Sequence, residues 1–237
     1  DACYSVYAGH IKNTSACERV TISVCKEACL AGVGAEAAIM PALTLPLAIE
    51  DVQILSNTSY IDSIGVFHVV GEVKNTGTSN IDFLRVIATF FDEKSKAVGT
   101  GFTFAQAGIL VPGQKSPFDI IELTNAKKIK SYKLQTSYMW TTQQPYTGLK
   151  IVNDTSYVDS IGAYHIVGEV KNDGAENTAL VRVIGTFYNS GGETVQVGFA
   201  FTNPNDIPAG QTASFDLIVT GQVPLIKTYE LQVRSGI

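Results

Sequence analysis

The chain repeats one segment, Tyr60-Ile-Asp-Ser-Ile-Gly-Val-Phe-His-Val-Val-Gly-Glu-Val-Lys-Asn75, as Tyr157-Val-Asp-Ser-Ile-Gly-Ala-Tyr-His-Ile-Val-Gly-Glu-Val-Lys-Asn172. The two copies are 97 residues apart, and the similarity continues without a gap, so that 34 of the 78 positions from Ser59 to Thr136 are identical in the second copy. Self-similarity over this length indicates two domains of one family in series. The resulting boundaries are 1–50 for an N-terminal segment, 51–137 for the first repeat, 138–148 for a linker and 149–237 for the second repeat.

Each repeat consists of short segments in which apolar and polar side chains alternate. Residues 67–74 and 85–90 alternate with a period of two, and Lys-Asn-Thr-Gly supplies turn-forming residues after the first of these segments. No stretch of useful length has helical periodicity. The pattern predicts an all-β fold, with two tandem immunoglobulin-like antiparallel β-sandwiches. The same alternation places a β-branched pair on the predicted outer faces of each repeat, Val70 with Ile87 and Val167 with Ile184.

Three motifs of the first repeat carry a family resemblance. Gly71-Glu-Val-Lys-Asn75, Ala88-Thr-Phe-Phe-Asp92 and Val111-Pro-Gly-Gln-Lys-Ser-Pro-Phe118 resemble the FxLYD-type β-sandwich domains of archaeal and bacterial cell-surface proteins. The aromatic and acidic ending of the name motif is only partly kept. The similarity covers about residues 52–136 and 149–233. The resemblance implies exported, non-catalytic modules with structural or binding roles.

The cysteines are confined to the first 29 residues, at Cys3, Cys17, Cys25 and Cys29. An even number of cysteines in a short leader indicates two disulfides and an oxidising compartment, and the sequence leaves all three possible pairings open. A zinc site fits less well, because the segment has no C-x-x-C and His10 is the only nearby imidazole. The chain starts at Asp1 without a basic or apolar signal region, as expected of a mature exported protein. We therefore expect a disulfide-stapled N-terminal segment and a secreted or cell-surface location.

An apolar stretch precedes the first repeat. Residues 28–49 contain one charge, Glu36, but Pro41 and Pro46 make a membrane-spanning helix a poor interpretation, so no transmembrane span is expected in the mature chain. From residue 39 the bulky apolar side chains fall on one parity, which is typical of a strand, and the prolines favour an edge position. The strand either packs on its own first domain or completes a sheet in a neighbouring molecule. The candidate residues for an intermolecular strand are Ile39, Leu43, Leu45, Leu47 and Ile49.

The charge of the chain excludes one class of partner. The 237 residues carry a net charge of −5 without a cluster of Lys and Arg, so nucleic acid is not an expected partner. Charged residues make up 16%, against about 25% in an average soluble domain. Glycans are possible partners, because three acceptor sequons are present, although their number is close to chance. The candidate glycosylation sites are Asn13, Asn57 and Asn153.

No group of side chains in the sequence points to catalysis. His68 and His165 are repeat counterparts and therefore belong to different domains, and an isolated strand histidine is more often hydrogen-bonded than a ligand. Asp62 and Asp159 each offer one carboxylate, whereas calcium needs about six to eight oxygens, and turn formation explains both residues. The sequence therefore predicts no enzyme, no cofactor and no metal site.

These features together predict a non-enzymatic extracellular structural protein. The tandem repeat, the charge-poor composition and the apolar leader favour a subunit of an archaeal surface filament or adhesive fibre. Such a subunit would self-associate into a homopolymer by strand donation from its N-terminal segment. The alternative is a monomeric extracellular binding module for carbohydrate, metal or protein.

Overall fold

The computed structural model describes residues 51–236, and every regular element in them apart from two short 3₁₀ turns is a β-strand. This confirms the prediction that this part of the chain is all-β. The first repeat contains β1 (Val52–Ile61), β2 (Phe67–Asn75), β3 (Asn80–Phe91), β4 (Ala97–Phe104), β5 (Lys115–Glu122), a 3₁₀ turn (Ala126–Lys128) and β6 (Ser131–Thr141). The second repeat contains β7 (Leu149–Val158), β8 (Tyr164–Asn172), β9 (Ala179–Tyr188), β10 (Thr194–Phe201), β11 (Thr212–Val219), a 3₁₀ turn (Val223–Leu225) and β12 (Thr228–Gly236).

Several of the sequence predictions fall outside the described residues. They concern Cys3, Cys17, Cys25, Cys29, Asn13 and the strand candidate with Ile39, Leu43, Leu45, Leu47 and Ile49. The disulfides and the apolar strand of the leader therefore stay predictions. Within residues 51–236, no helix is long and apolar enough to cross a membrane.

Each repeat is built from two antiparallel sheets of three strands. The sheets run in the order β1-β2-β5 and β4-β3-β6 in the first repeat, and β7-β8-β11 and β10-β9-β12 in the second. Val69 and Phe118 of one sheet share a buried core with Val86 and Phe90 of the other, and the second repeat has an equivalent core. The period-two alternation explains this arrangement, because successive side chains of a strand point to opposite faces of its sheet. Each repeat is therefore a sandwich-like unit.

A buried asparagine fixes the turn that follows the second strand of each repeat. The side-chain amide of Asn75 donates to the carbonyls of Ser79 and Leu110, at 2.9 and 2.8 Å, and its Oδ1 accepts from the Gly77 amide at 3.0 Å. Asn172 makes the equivalent three bonds in the second repeat. A buried donor or acceptor without a hydrogen bond costs about 1–3 kcal/mol, so these bonds favour this turn conformation over others.

Strand β6 extends further than the repeat alignment indicated. Residues 138–141, which the sequence assigned to the linker, continue the pairing with β3, so the irregular connection is 142–148. Trp140 donates its indole N–H to Asp51 Oδ2 at 3.0 Å, and the Tyr138 hydroxyl reaches the same oxygen at 3.4 Å. These two bonds tie the end of β6 to the start of β1.

Candidate interaction surfaces

A valine of the first repeat and an isoleucine of the second are buried although they lie outside the cores of their repeats. Val70 is 0% exposed and Ile184 is 1% exposed, although neither belongs to the core of its own repeat. Val70 lies on β2 and Ile184 lies on β9. Side chains of β1, β2 and β5 contact side chains of β10, β9 and β12, so the outer faces of these two sheets form the contact between the repeats. Two of the four predicted outer-face residues are in fact interface residues.

Hydroxyl and amide groups flank this apolar centre. Ser56 Oγ lies 2.8 Å from Thr194 Oγ1, and the Thr58 hydroxyl donates to the Thr194 carbonyl at 2.7 Å. The Tyr60 hydroxyl donates to Gln196 Oε1 at 2.9 Å. A bulge in β1 between Ile54 and Ser56 shifts the strand register just before these residues. The shift is consistent with Ile54 packing on the core while Ser56 contacts the second repeat.

Charged side chains meet at one point of the interface. The Lys115 ammonium lies 2.8 Å from Glu230 and 3.3 Å from Glu72, and the Tyr188 hydroxyl donates to Glu72 at 2.9 Å. Burial favours the neutral form of Lys115, but the two carboxylates outweigh it and raise the pKa of the ammonium. Burial and the same carboxylates raise the pKa of the Tyr188 phenol. Glu72 is 3% exposed, so it depends on Lys115 of its own repeat and on Tyr188 across the interface to compensate its burial.

A loop of the first repeat binds arginines of the second. Arg182 and Arg234 both donate to the Gln106 carbonyl, at 2.7 and 2.8 Å, and Gln232 donates to the Lys115 carbonyl at 2.9 Å. Burial and the nearby Arg234 lower the pKa of Arg182 to about 10. The contact encloses a cavity of about 540 Å³ between the loop, the linker and the second repeat.

The corresponding faces at the two ends of this repeat pair are uncovered. Val167, the counterpart of Val70, is partly exposed, and Glu169, the counterpart of Glu72, is exposed. Ile87, the counterpart of Ile184, is likewise only half-buried. Within the described residues, the β1-β2-β5 and β10-β9-β12 faces are therefore in contact. The equivalent faces, on the β7-β8-β11 and β4-β3-β6 sheets, remain partly exposed.

A groove separates the edge strands β1 and β6 of the first repeat. It has a volume of about 810 Å³, and its apolar lining comes from Val52, Ile54, Leu134 and Ile87. Thr76, Gln53, Gln135 and Thr136 supply the polar part of the lining. Within residues 51–236, β1 pairs only with β2 and β6 pairs only with β3, so no described strand covers the outer edge of either.

Side chains close the groove at both ends. At one end the Tyr132 hydroxyl donates to Asn57 Oδ1 at 2.8 Å, and at the other end Trp140 binds Asp51. In the second repeat the matching strands β7 and β12 pack along each other, as β1 and β6 do not, and the Tyr229 hydroxyl donates to Asp154 at 2.6 Å. The first repeat is therefore the more open of the two sandwich-like units.

Each histidine of the repeats lies between two carboxylates. His68 Nδ1 is 3.0 Å from Asp119, its Nε2 is 3.6 Å from Asp62, and its ring stacks on Tyr60 with centroids 4.8 Å apart. The hydrogen bond to Asp119 raises the pKa of the His68 imidazole. Burial opposes the charged form of His165, but bonds to its own two aspartates outweigh burial and raise its pKa as well. Both rings are hydrogen-bonded strand histidines, as the sequence indicated.

The aspartates before the Ser-Ile-Gly turns act as turn residues. Asp62 Oδ1 accepts from the amides of Ile64 and Val66 at 3.0 and 2.8 Å, and Asp159 does the same in the second repeat. These backbone bonds lower the pKa of both carboxyls. Among residues 51–236 no group of three histidine, cysteine or acidic side chains is arranged to hold a metal ion.

Two of the three predicted glycosylation sites lie in the described part of the chain, on first strands of the repeats. Asn57 is exposed on β1 beside the groove and accepts from Tyr132. Asn153 is exposed on β7, and its amide donates to Glu169 at 2.7 Å. Sequence reasoning missed Lys115, Tyr188 and Arg182, since their partners lie in the other repeat.

No protein-family model and no curated protein matches the sequence. The resemblance to FxLYD-type domains therefore stays a prediction. Among solved structures, the chain is similar to an exo-β-D-glucosaminidase at 9% identity over 76% of this chain and 25% of that chain, with a TM-score of 0.29. It is similar to red sea bream transglutaminase at 10% identity over 91% and 32%, with a TM-score of 0.25. A β-glucuronidase from glycoside hydrolase family 2 is similar at 11% identity over 85% and 24%, with a TM-score of 0.23. The chain thus spans about a quarter to a third of the length of these proteins.

Proposed function

We propose that this protein is a non-enzymatic extracellular structural protein, a subunit of an archaeal surface filament or adhesive fibre. Copies assemble when the apolar strand Ile39–Ile49 of one molecule enters the first repeat of another. The observation that carries the proposal is the groove between β1 and β6, which combines an apolar lining with two strand edges that no strand within residues 51–236 covers. Strand addition to a free edge is a general mode of protein assembly.

We also propose that the repeats are immunoglobulin-like sandwiches that lack one strand. In a seven-stranded immunoglobulin-like domain, the last strand pairs with the strand that corresponds here to β6. The described residues of the first repeat contain six strands and supply none at that edge. A strand laid along β6 would complete the sheet and cover the core.

The chemistry of the strand matches that of the groove. Bulky side chains on one parity of the strand, Leu45 among them, would face Ile54 and Leu134, which are only partly buried now. Full burial of a large apolar side chain contributes about 1.5–3 kcal/mol, so the five candidate residues give a gross gain on the order of 10 kcal/mol. The entropy of ordering the strand reduces this gain. The remainder is consistent with a durable filament.

The predictions about compartment support the same function. Disulfides in the leader, glycosylation sequons and the resemblance to exported cell-surface domains all fit a secreted or cell-surface protein. A filament outside the cell needs subunits that resist reduction and unfolding. Two stapled cysteine pairs and sandwich repeats are suited to that requirement.

The test is a pair of neighbouring substitutions in the full chain, Leu45→Asp and Thr44→Asp. The alternation places the two positions on opposite faces of the strand, so only Leu45→Asp should put a charge into the groove. We expect electron microscopy to show fibres for the wild type and for Thr44→Asp, and monomers for Leu45→Asp, with unchanged melting temperatures. Dispersed wild-type monomers at high concentration would instead favour the monomeric binding module. Fibres formed by Leu45→Asp, or loss of its fold, would refute strand donation.

A further inference from the structure

We infer that copies of this chain join end to end by using the contact between the repeats a second time. The outer face of the β7-β8-β11 sheet of one copy docks on the outer face of the β4-β3-β6 sheet of the next copy. The inference rests on the proposed function, because it specifies how filament subunits meet. It is carried by the internal contact, in which the equivalent faces of the same chain are already packed together.

The two open faces repeat the apolar centre of the internal contact. Val167 stands where the internal contact has Val70, and Ile87 stands where it has Ile184. Both open residues are β-branched and partly exposed, whereas both internal residues are buried. An apolar residue on the outer face of a sheet contributes nothing to its own core. The same residue covered by a partner loses contact with water, which favours association.

Two of the hydrogen-bond donors of the internal contact also recur, whereas Arg234, Tyr188 and Gln196 are replaced by Ser137, Phe91 and Gly99. Arg85 and Gln135 occupy the positions of Arg182 and Gln232, which bind backbone carbonyls of the first repeat. Backbone acceptors do not depend on side-chain identity, so the carbonyls of Asn203 and Thr212 can take the places of those of Gln106 and Lys115. The loops that carry them have the same length in the two repeats.

The charges of the internal contact change in a compensating way. Lys115 and Tyr188 bring the carboxylates of Glu72 and Glu230 to one point. In the contact between copies, Glu169 stands at the position of Glu72, Lys133 at that of Glu230, and Thr212 at that of Lys115. The lysine of the internal contact, Lys115, lies on the β1-β2-β5 sheet, whereas the lysine of the contact between copies, Lys133, lies on the β4-β3-β6 sheet. Lys133 and Glu169 of different copies therefore meet as an ion pair beside Asn153, which donates to Glu169 within its own repeat, and the contact requires that Asn153 carry no glycan.

The two faces differ, so the contact between copies cannot close on itself as a two-fold dimer. A heterologous contact of this kind continues as an open filament when its rotation does not close a ring. Strand donation shares Ile87 and Gln135 with this contact, because both residues also line the groove between β1 and β6, whereas Lys133, Val167 and Glu169 belong to the docking contact alone. The docking face uses side chains on the outer face of the same sheet. Successive repeats along the filament would then be spaced as the two repeats are within one chain.

Cross-linking of assembled full-length protein tests the contact directly. Equal amounts of unlabelled and ¹⁵N-labelled chain are assembled together and treated with a carbodiimide, which joins an amine to a carboxylate without a spacer. We expect Lys133–Glu169 peptides of mixed isotope, which only different copies can form. Lys115–Glu230, 2.8 Å apart within one chain, is the internal control and should appear only with matched isotopes. Absence of the mixed Lys133–Glu169 peptide in fibres that show the control peptide would overturn the inference.

Substitutions provide a second readout on the same fibres. Val167→Glu, Lys133→Glu and Arg85→Ala, none of which lies in the groove between β1 and β6, should each raise the concentration needed for assembly by about tenfold or more, and Glu169→Lys should reverse the effect of Lys133→Glu. Ile121→Glu is the matched control, because Ile121 is exposed and lies on neither docking face. Normal assembly of the first three variants, with Leu45→Asp still inactive, would refute this contact and leave strand donation standing. Failure of the wild type to assemble would refute the proposed function itself.

Discussion

At the scale of single residues, the histidine between two aspartates makes the stability of each repeat depend on pH. His68 and His165 have raised pKa values in the folded protein, so the protonated rings stabilise the fold. This contribution is fully present below the unfolded-state pKa of about 6.5 and is lost as the pH rises through the folded-state pKa. The lowered pKa of Asp62 acts in the acidic range, where its contribution is lost as the pH falls.

We therefore expect the melting temperature of the wild type to fall as the pH rises above about 6.5 and through the raised pKa of the two histidines. The double variant His68→Gln, His165→Gln should show a much flatter curve over the same range, since glutamine does not titrate. Circular dichroism melting at intervals of half a pH unit would measure both curves. Parallel slopes for the two proteins would contradict the role given to the imidazoles.

At the scale of elements, close packing of a strand requires glycine at one point of β2. A Cβ atom at Gly71 would lie 2.5 Å from Phe118 Cζ and 2.5 Å from the Ser56 carbonyl oxygen. Backbone and a buried ring cannot both move aside, so Gly71→Ala should lower the free energy of unfolding by about 1–3 kcal/mol. Urea denaturation measures this loss. Gly99→Ala is the control, because its nearest neighbour would be at an ordinary 3.5 Å, and an equal loss there would contradict the packing argument.

The sequence predicted the strands better than it predicted where they end. Period-two alternation depends on each strand alone, and it predicted β2 and the core half of β3 correctly. The end of β6 depends on partners far along the chain, since Trp140 is held by Asp51 and pairs beside β3. The groove likewise lies between β1 and β6, which are separated by most of the repeat. No local pattern identifies such a site.

At the scale of the whole molecule, residues that are identical in the two repeats differ in burial. Val70 and Val167 are identical, as are Ile87 and Ile184, so the repeat pattern cannot tell which pair is buried. The order of the repeats along the chain makes this choice, because the first repeat uses its β1-β2-β5 face and the second its β10-β9-β12 face. The sequence placed these apolar residues on outer faces, and two of them, Val70 and Ile184, are buried there. Their burial within the chain was not predicted.

The internal contact should make the two repeats unfold together, and Ile184 tests this coupling. Ile184→Glu places a carboxylate at a position that is 1% exposed and lies outside the second core, so it should separate the repeats without unfolding either of them. Differential scanning calorimetry of monomeric protein is expected to show one transition for the wild type and two for Ile184→Glu. Ile87→Glu changes the same residue type at the uncovered counterpart and should keep a single transition. Two transitions in the wild type, or one in Ile184→Glu at an unchanged melting temperature, would mean that the contact does not couple the repeats.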